Sequence, residues 1–262
     1  MTLQETRKNL DAIIKKEVRG NRISPDDYNR VLESSHEAFF KRKLDIYLRT
    51  VNQEVLKDAE LDVRFIEHFL TASTGNALAA GVLDLTGIEA TVADIAAIVS
   101  VKGTYASSFR KIDYVSPQAA QEMLHNLMGR RLTSYPICYR VGSNLNFYPT
   151  NVTSVDVIYV EWPDVPFLDY YIDVNGQVQY FDEGDGSHFW DAGEIDSDGE
   201  THLAYPYDDA YTPVTKELDY EPQYHYEFMM ECLAQYALSL SPEQCGCLID
   251  YAEKKKEQIN AR

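Results

Sequence analysis

The chain has 262 residues, 45% hydrophobic and 25% charged, with 42 acidic against 24 basic side chains and a formal net charge of −18. That apolar fraction suits one substantial core or two smaller ones and excludes wholesale disorder. No run reaches the roughly 18 apolar residues of a membrane-spanning helix, and residues 1–20 lack the apolar centre of a secretory leader, so a cytoplasmic chain is expected.

The first hundred residues read mainly as helix. Ser24-Pro25-Asp26-Asp27 is a strong start signal: a serine cap, proline at the first helical position, and acids beside the positive helix end. Tyr28, Val31, Leu32, Phe39, Phe40, Leu44, Tyr47, Leu48, Val51 and Val55 then predict one long amphipathic helix, or two joined near Thr50. Lys41, Arg42 and Lys43 are expected on its solvated side. Residues 58–80 are expected to stay helical, becoming small and glycine-punctuated near Gly75.

The period then changes to two. Residues 95–101 and 107–112 read as strands around the turn Lys102-Gly103-Thr104, and Ser116-Pro117 caps a short helix ending near Gly129. Residues 137–141 and 144–148 flank Gly142-Ser143, which suits a type II′ hairpin. Another strand is expected over 155–161, bounded by Pro163 and Pro166. Residues 170–174 and 177–181 flank Asn175-Gly176, the strongest hairpin signal in the chain. From 182 to 220 the sequence is acidic, rich in Gly and Tyr and weakly periodic, and is expected to be a long loop that orders only against a neighbour. Helix returns over 224–240, with Phe228, Met229, Cys232, Leu233, Tyr236 and Ala237 on one face, and Ser241-Pro242 caps a last helix. The fold class expected is α+β in four consecutive segments. These are a mainly helical region at 1–94, a β-rich unit with one short helix at 95–181, an acidic aromatic-rich loop at 182–223 and a C-terminal helical hairpin at 224–262.

The charge is concentrated. Residues 151–222 hold 18 acidic residues against the single base Lys216, a net of −17, and the remainder holds 24 acidic and 23 basic residues. Such a block opposes tight nucleic-acid binding through its own surface. It reads as a solvated acidic face, as a wall along which DNA slides without sticking, or as a site for a basic partner. No phosphate-binding loop, nucleophile elbow or zinc-protease helix motif is present, and none of the six histidines lies three or four residues from another. The chain is therefore expected to be non-catalytic and to carry no cofactor. Cys138, Cys232, Cys245 and Cys247 read as small apolar residues, with a Cys245, Cys247 and His225 metal site the minor alternative.

Glu194, Asp196 and Asp198, followed by Gly199, imitate the start of a calcium loop, but Glu stands first and Tyr205 stands where the closing Glu belongs. A solvated acidic turn is the plainer reading, and no metal is expected. The chain has 19 tyrosines, and tyrosine and tryptophan are enriched at subunit contacts. The candidates for such a contact are Trp162, Tyr170, Tyr171, Trp190, Tyr205, Tyr207, Tyr211, Tyr224 and Phe228.

Tyr135-Pro136-Ile-Cys-Tyr-Arg140, Leu145 to Thr150, and Val155 to Pro163 form one group of motifs, and the ending from Leu218, with Tyr224-His225-Tyr-Glu-Phe opening a helix that reaches Ala234 to Leu238, forms another. Together they resemble neck proteins of tailed bacteriophages, the head-to-tail connector or ring proteins, and among these the crAss-like phages of gut bacteria. The resemblance covers roughly the second half of the chain. It implies a virion protein, assembled in the host cytoplasm, that forms a closed and commonly twelve-fold ring. The ring would stack with the portal and adjacent neck or tail proteins around a channel through which DNA passes without tight or sequence-specific binding. The alternative, from the residues alone, is an acidic binding or regulatory module, DNA-mimic or immunity-like, acting on a basic partner.

Overall fold

The computed structural model describes residues 2–17, 23–53, 60–89, 95–105, 108–125, 136–204, 209–240, 246 and 248–255. In chain order the elements are α1 (Leu3–Glu17), α2 (Pro25–Gln53), α3 (Glu60–Glu67), β1 (Leu70–Ala77), β2 (Val82–Asp84), α4 (Thr86–Glu89), β3 (Ile95–Tyr105), β4 (Ser108–Tyr114), α5 (Pro117–His125), β5 (Ile137–Val141), β6 (Asn144–Tyr148), β7 (Ser154–Glu161), β8 (Tyr170–Ile172), β9 (Val178–Tyr180) and α6 (His225–Leu238). The class is α+β. Two compact units result, one of residues 1–45 with 164–262 and one of residues 46–163. The four consecutive segments read from the sequence follow chain order, whereas the first unit joins the two ends of the chain.

The first unit combines helices with the two-stranded sheet of β8 and β9. Leu3, Leu10 and Ile14 bury the inner face of α1, and Tyr28 Oη donates to Leu3 O at 2.9 Å. Ser24 caps α2 reciprocally, accepting from Asp27 N at 3.1 Å and donating to Asp27 Oδ2 at 2.7 Å. The six apolar positions expected on one face of α6 are all buried, with Phe228, Leu233 and Cys232 fully enclosed. Phe228 meets Phe39 of α2 edge-on at 5.7 Å, a geometry that adds to the burial of both rings. Residues 248–255 are helical, with Leu248 and Ala252 buried.

The second unit is built on a seven-stranded sheet of order β1-β7-β3-β4-β5-β6-β2. Every pairing is antiparallel except β4 with β5, and α5 lies between those two strands in sequence. Val101, Ile112, Cys138, Leu145, Phe147, Val155, Val157 and Tyr159 form its core. Ala120 of α5 packs on Ile137, with Leu124 and Tyr139 beside them.

Three sequence expectations are corrected here. Of the described residues 60–80 in the stretch 58–80, Leu70–Ala77 is strand β1, antiparallel to β7, and the helix expected to run through it ends at Glu67. The small residues of β1 have no strong preference of their own, and backbone pairing to β7 decides their state. A bulge between Ser73 and Asn76 places Gly75 at φ 71°, where its N–H donates to Asp156 Oδ1 at 2.8 Å.

Lys102-Gly103-Thr104 is not a turn but the end of β3, facing Lys111, Arg110 and Phe109 of β4. Gly103 is there for closeness: an added Cβ would lie 2.7 Å from Ile112 Cδ1 and 2.8 Å from Val155 Cγ1. The β8–β9 connection also differs from a two-residue Asn-Gly turn. Asp173 N donates to Gln177 O and Gly176 N to Asp173 O, with only Gly176 at positive φ, 75°. Asp173 Oδ1 accepts from Asn175 N and Gln177 N, which selects this longer loop.

Candidate functional site

The acidic segment is expected to order only against a neighbour, but its described residues, 182–204 and 209–220, pack against their own unit. Asn29 of α2 grips Leu168 through both its amide atoms, at 3.0 and 3.1 Å, and Tyr170 Oη donates to Asp26 Oδ1 at 2.6 Å. Asp169 is fully buried and accepts from Tyr170 N, Tyr211 Oη and Val214 N at 2.8, 2.7 and 3.0 Å. A carboxylate so enclosed persists only when its oxygens are satisfied, and these three donors do that while drawing residues 211–214 onto β8. Burial, with the Asp169 hydrogen bond next, pushes the Tyr211 hydroxyl well above its ordinary range, so it stays a donor.

Beyond β9 the segment is held by rings and two histidine–carboxylate pairs. Trp190 is buried; His202 stacks on it at 3.9 Å, and His188 meets it edge-on at 4.8 Å. His188 Nε2 lies 3.0 Å from Glu194 Oε2, which also accepts from Asp191 N at 2.8 Å. His202 Nε2 lies 2.9 Å from Asp196 Oδ2, and Asp196 Oδ1 accepts from Asp198 N and Glu200 N at 3.0 and 2.8 Å. Burial raises the Asp196 carboxyl, but the hydrogen bonds from His202, Glu200 N and Asp198 N outweigh it and hold the group below the usual carboxylate range. Bridges His188–Tyr211, Ile172–Ile195 and Ile195–Thr201 complete the segment.

This arrangement accounts for the calcium-like motif. Glu194 turns inward to His188, and Asp196 folds over its own backbone, so the two carboxylates serve different partners. Among the described residues no three His, Cys, Asp or Glu side chains are grouped to hold a metal. Cys245 and Cys247 lie outside the described residues; His225 is buried, its Nε2 on Tyr220 O at 2.7 Å. Burial pushes the Cys138 and Cys232 thiols up to about 12, which makes both unreactive.

Of the aromatic contact candidates, Tyr170, Trp190, Tyr224 and Phe228 are buried within the chain. Trp162, Tyr171 and Tyr211 are half-buried, and Tyr205 and Tyr207 lie outside the described residues. Among its described residues this segment exposes Phe189, Leu203 and Val214, and the β8–β9 connection exposes Val174, each more than half open. No known protein-family description matches the chain. No curated protein matches it above the level of chance.

A second polar cluster, Lys41 to Lys43, is expected on a solvated helix face. Lys43 is instead buried, with Nζ donating to Glu227 Oε2 at 2.7 Å and lying 5.2 Å from the Phe39 ring centroid. Arg42 spans two carboxylates one helical turn apart on α6, Glu231 at 2.6 Å and Glu227 at 3.1 Å. No local signal reveals this, because the partners lie more than 180 residues away. His188 with Glu194 and Asp196 with His202 are each six residues apart. Six residues span about 20 Å along a strand and fall on different faces of a helix, so no local period brings either pair together.

Proposed function

We propose that this chain is a structural subunit of the head-to-tail connector of a tailed bacteriophage, forming a homo-oligomeric ring around the DNA channel and contacting the portal and adjacent neck or tail proteins. The reading rests first on the sequence resemblance over Tyr135 to Arg140, Leu145 to Thr150, Val155 to Pro163 and Leu218 to Arg262, of which the described parts include β5, β6, β7 and α6. The observation that carries it furthest is the partition of charge. The unit of residues 46–163 has 12 acidic and nine basic residues, a net of −3, which leaves −15 of the total −18 on the other unit. A strongly anionic body repels the DNA backbone, and a channel component that must let DNA pass gains from not holding it. The acidic side chains with defined roles here, Asp169, Glu194 and Asp196, act in holding their own segment. Among the described residues no helix is long and apolar enough to cross a membrane.

Native mass spectrometry across a concentration series, with the portal protein present and absent, tests the reading. A single closed oligomer, alone or on the portal, is expected, together with no retardation of duplex DNA at low salt. A chain that stays monomeric under both conditions and binds a basic protein tightly would replace the ring reading with that of an acidic regulatory module.

A further inference from the structure

The β3–β4 pair of the second unit carries two lysines and an exposed ring on its outer face. The register sets Lys102 directly opposite Lys111, and Thr104 opposite Phe109, while Val101 and Ile112 of the next pair are buried. Side chains alternate along a strand, so Lys102, Lys111 and Phe109 project from the same outer face. Like charges directly opposite each other destabilise a sheet, and among the described residues neither lysine is paired with a carboxylate. Asp156 of β7 stands opposite Lys102 across the other flank of β3, on this same face, and its Oδ1 accepts from Gly75 N, so of the two lysines only Lys102 has a carboxylate across the ladder from it on β7. Phe109 is 55% exposed beside the two ammonium groups. An exposed ring flanked by two cations matches an anionic protein surface that also offers apolar contact.

We propose that this Lys102–Lys111–Phe109 face docks on the acidic unit of a second copy of the same chain. Every copy brings a body of net charge −15 with exposed apolar side chains such as Phe189 and Leu203 among exposed acids such as Asp191, Asp198 and Glu200. A basic face meeting a different, acidic surface is a heterologous contact, the kind that repeats head to tail and closes into a ring when the rotation permits. The inference deepens the ring reading and rests on it.

The test mixes ¹⁴N- and ¹⁵N-labelled protein, cross-links lysines to carboxylates with a zero-length carbodiimide, and identifies mixed-isotope peptides. Links from Lys102 or Lys111 to carboxylates of residues 164–221 in mixed pairs are expected. K102E/K111E is expected to weaken self-association at least tenfold, as is F109S, with the circular dichroism of the monomer unchanged because all three positions are exposed. A ring that forms as well with K102E/K111E as without overturns this contact and leaves the ring. A discrete dimer carrying the mixed links keeps the contact and rejects the ring. Absence of both links and oligomers overturns both. Duplex DNA binding abolished by K102E/K111E, with self-association unaltered, reassigns the face to nucleic acid and also overturns the proposal.

Discussion

Gly103→Ala is expected to destabilise the second unit by about 1–2 kcal/mol. The new methyl carbon would sit 2.7 Å from Ile112 Cδ1, 2.8 Å from Val155 Cγ1 and 3.0 Å from Ser154 O. The first two are side-chain ends that can yield; the carbonyl belongs to the paired strand and cannot move without disturbing the ladder. Overpacking of this kind costs about 1–3 kcal/mol, and replacing a strand glycine returns about 0.5–1 kcal/mol of backbone entropy. Urea unfolding followed by circular dichroism measures the balance as a lower midpoint at unchanged slope. Ile112→Val deletes the Cδ1 atom behind the shortest contact, so Gly103→Ala should cost less in that background, with a coupling of about 0.5–1 kcal/mol. A neutral or stabilising Gly103→Ala would refute the reasoning, because it would mean that the space beside position 103 is open.

Arg42→Met leaves Glu231 buried without the cation 2.6 Å from it. Breaking a buried pair costs about 3–5 kcal/mol, and discounting for the 38% exposure of the arginine side chain gives about 2 kcal/mol, read by thermal melting; R42M/E231M should recover most of it. Asp196→Asn should destabilise the acidic segment at pH 7. Because the folded carboxyl titrates below its unfolded value, its contribution is present above the unfolded pKa and is lost as pH falls through the folded one, so wild type and variant should converge in acid. Ala80 and Gly81, at φ 53° and 79°, make a two-residue turn closed by Ala79 and Val82. Asparagine tolerates that conformation better than alanine, so Ala80→Asn should raise stability by about 0.5–1 kcal/mol, and a lower unfolding midpoint would count against the turn geometry.

What could be read from sequence was local. Ser24-Pro25-Asp26-Asp27 begins α2 because a cap and its acids act within one turn, and the apolar stripe of α6 is buried because its period is intrinsic. Gly103 was misread because a glycine chosen for close packing looks the same in sequence as one chosen for a turn. Leu70 to Ala77 was misread because its state is set by β7, about 80 residues later. Lys43 looked like surface because charge alone does not reveal that Glu227 and two rings enclose it. In the candidate site the composition was visible, whereas the pairing of each histidine with its carboxylate depends on non-local folding of an extended segment. Asp169 could not have been picked out from the 42 acids by any local signal.

The division of the first unit between residues 1–45 and 164–262 has a consequence for synthesis on the ribosome. All of residues 46–163 emerge before any part of the acidic segment or α6, so the sheet can close while α2 still lacks the partner that covers Phe39 and satisfies Arg42 and Lys43. At about 5–20 residues per second, the roughly 90 residues from Asp164 through the last described helix take on the order of 5–20 seconds to appear. Throughout that interval the apolar stripe of α2 is a surface that chaperones, or the same stripe on a neighbouring nascent chain, can occupy. The unit that carries nearly all the negative charge is thus the last to form.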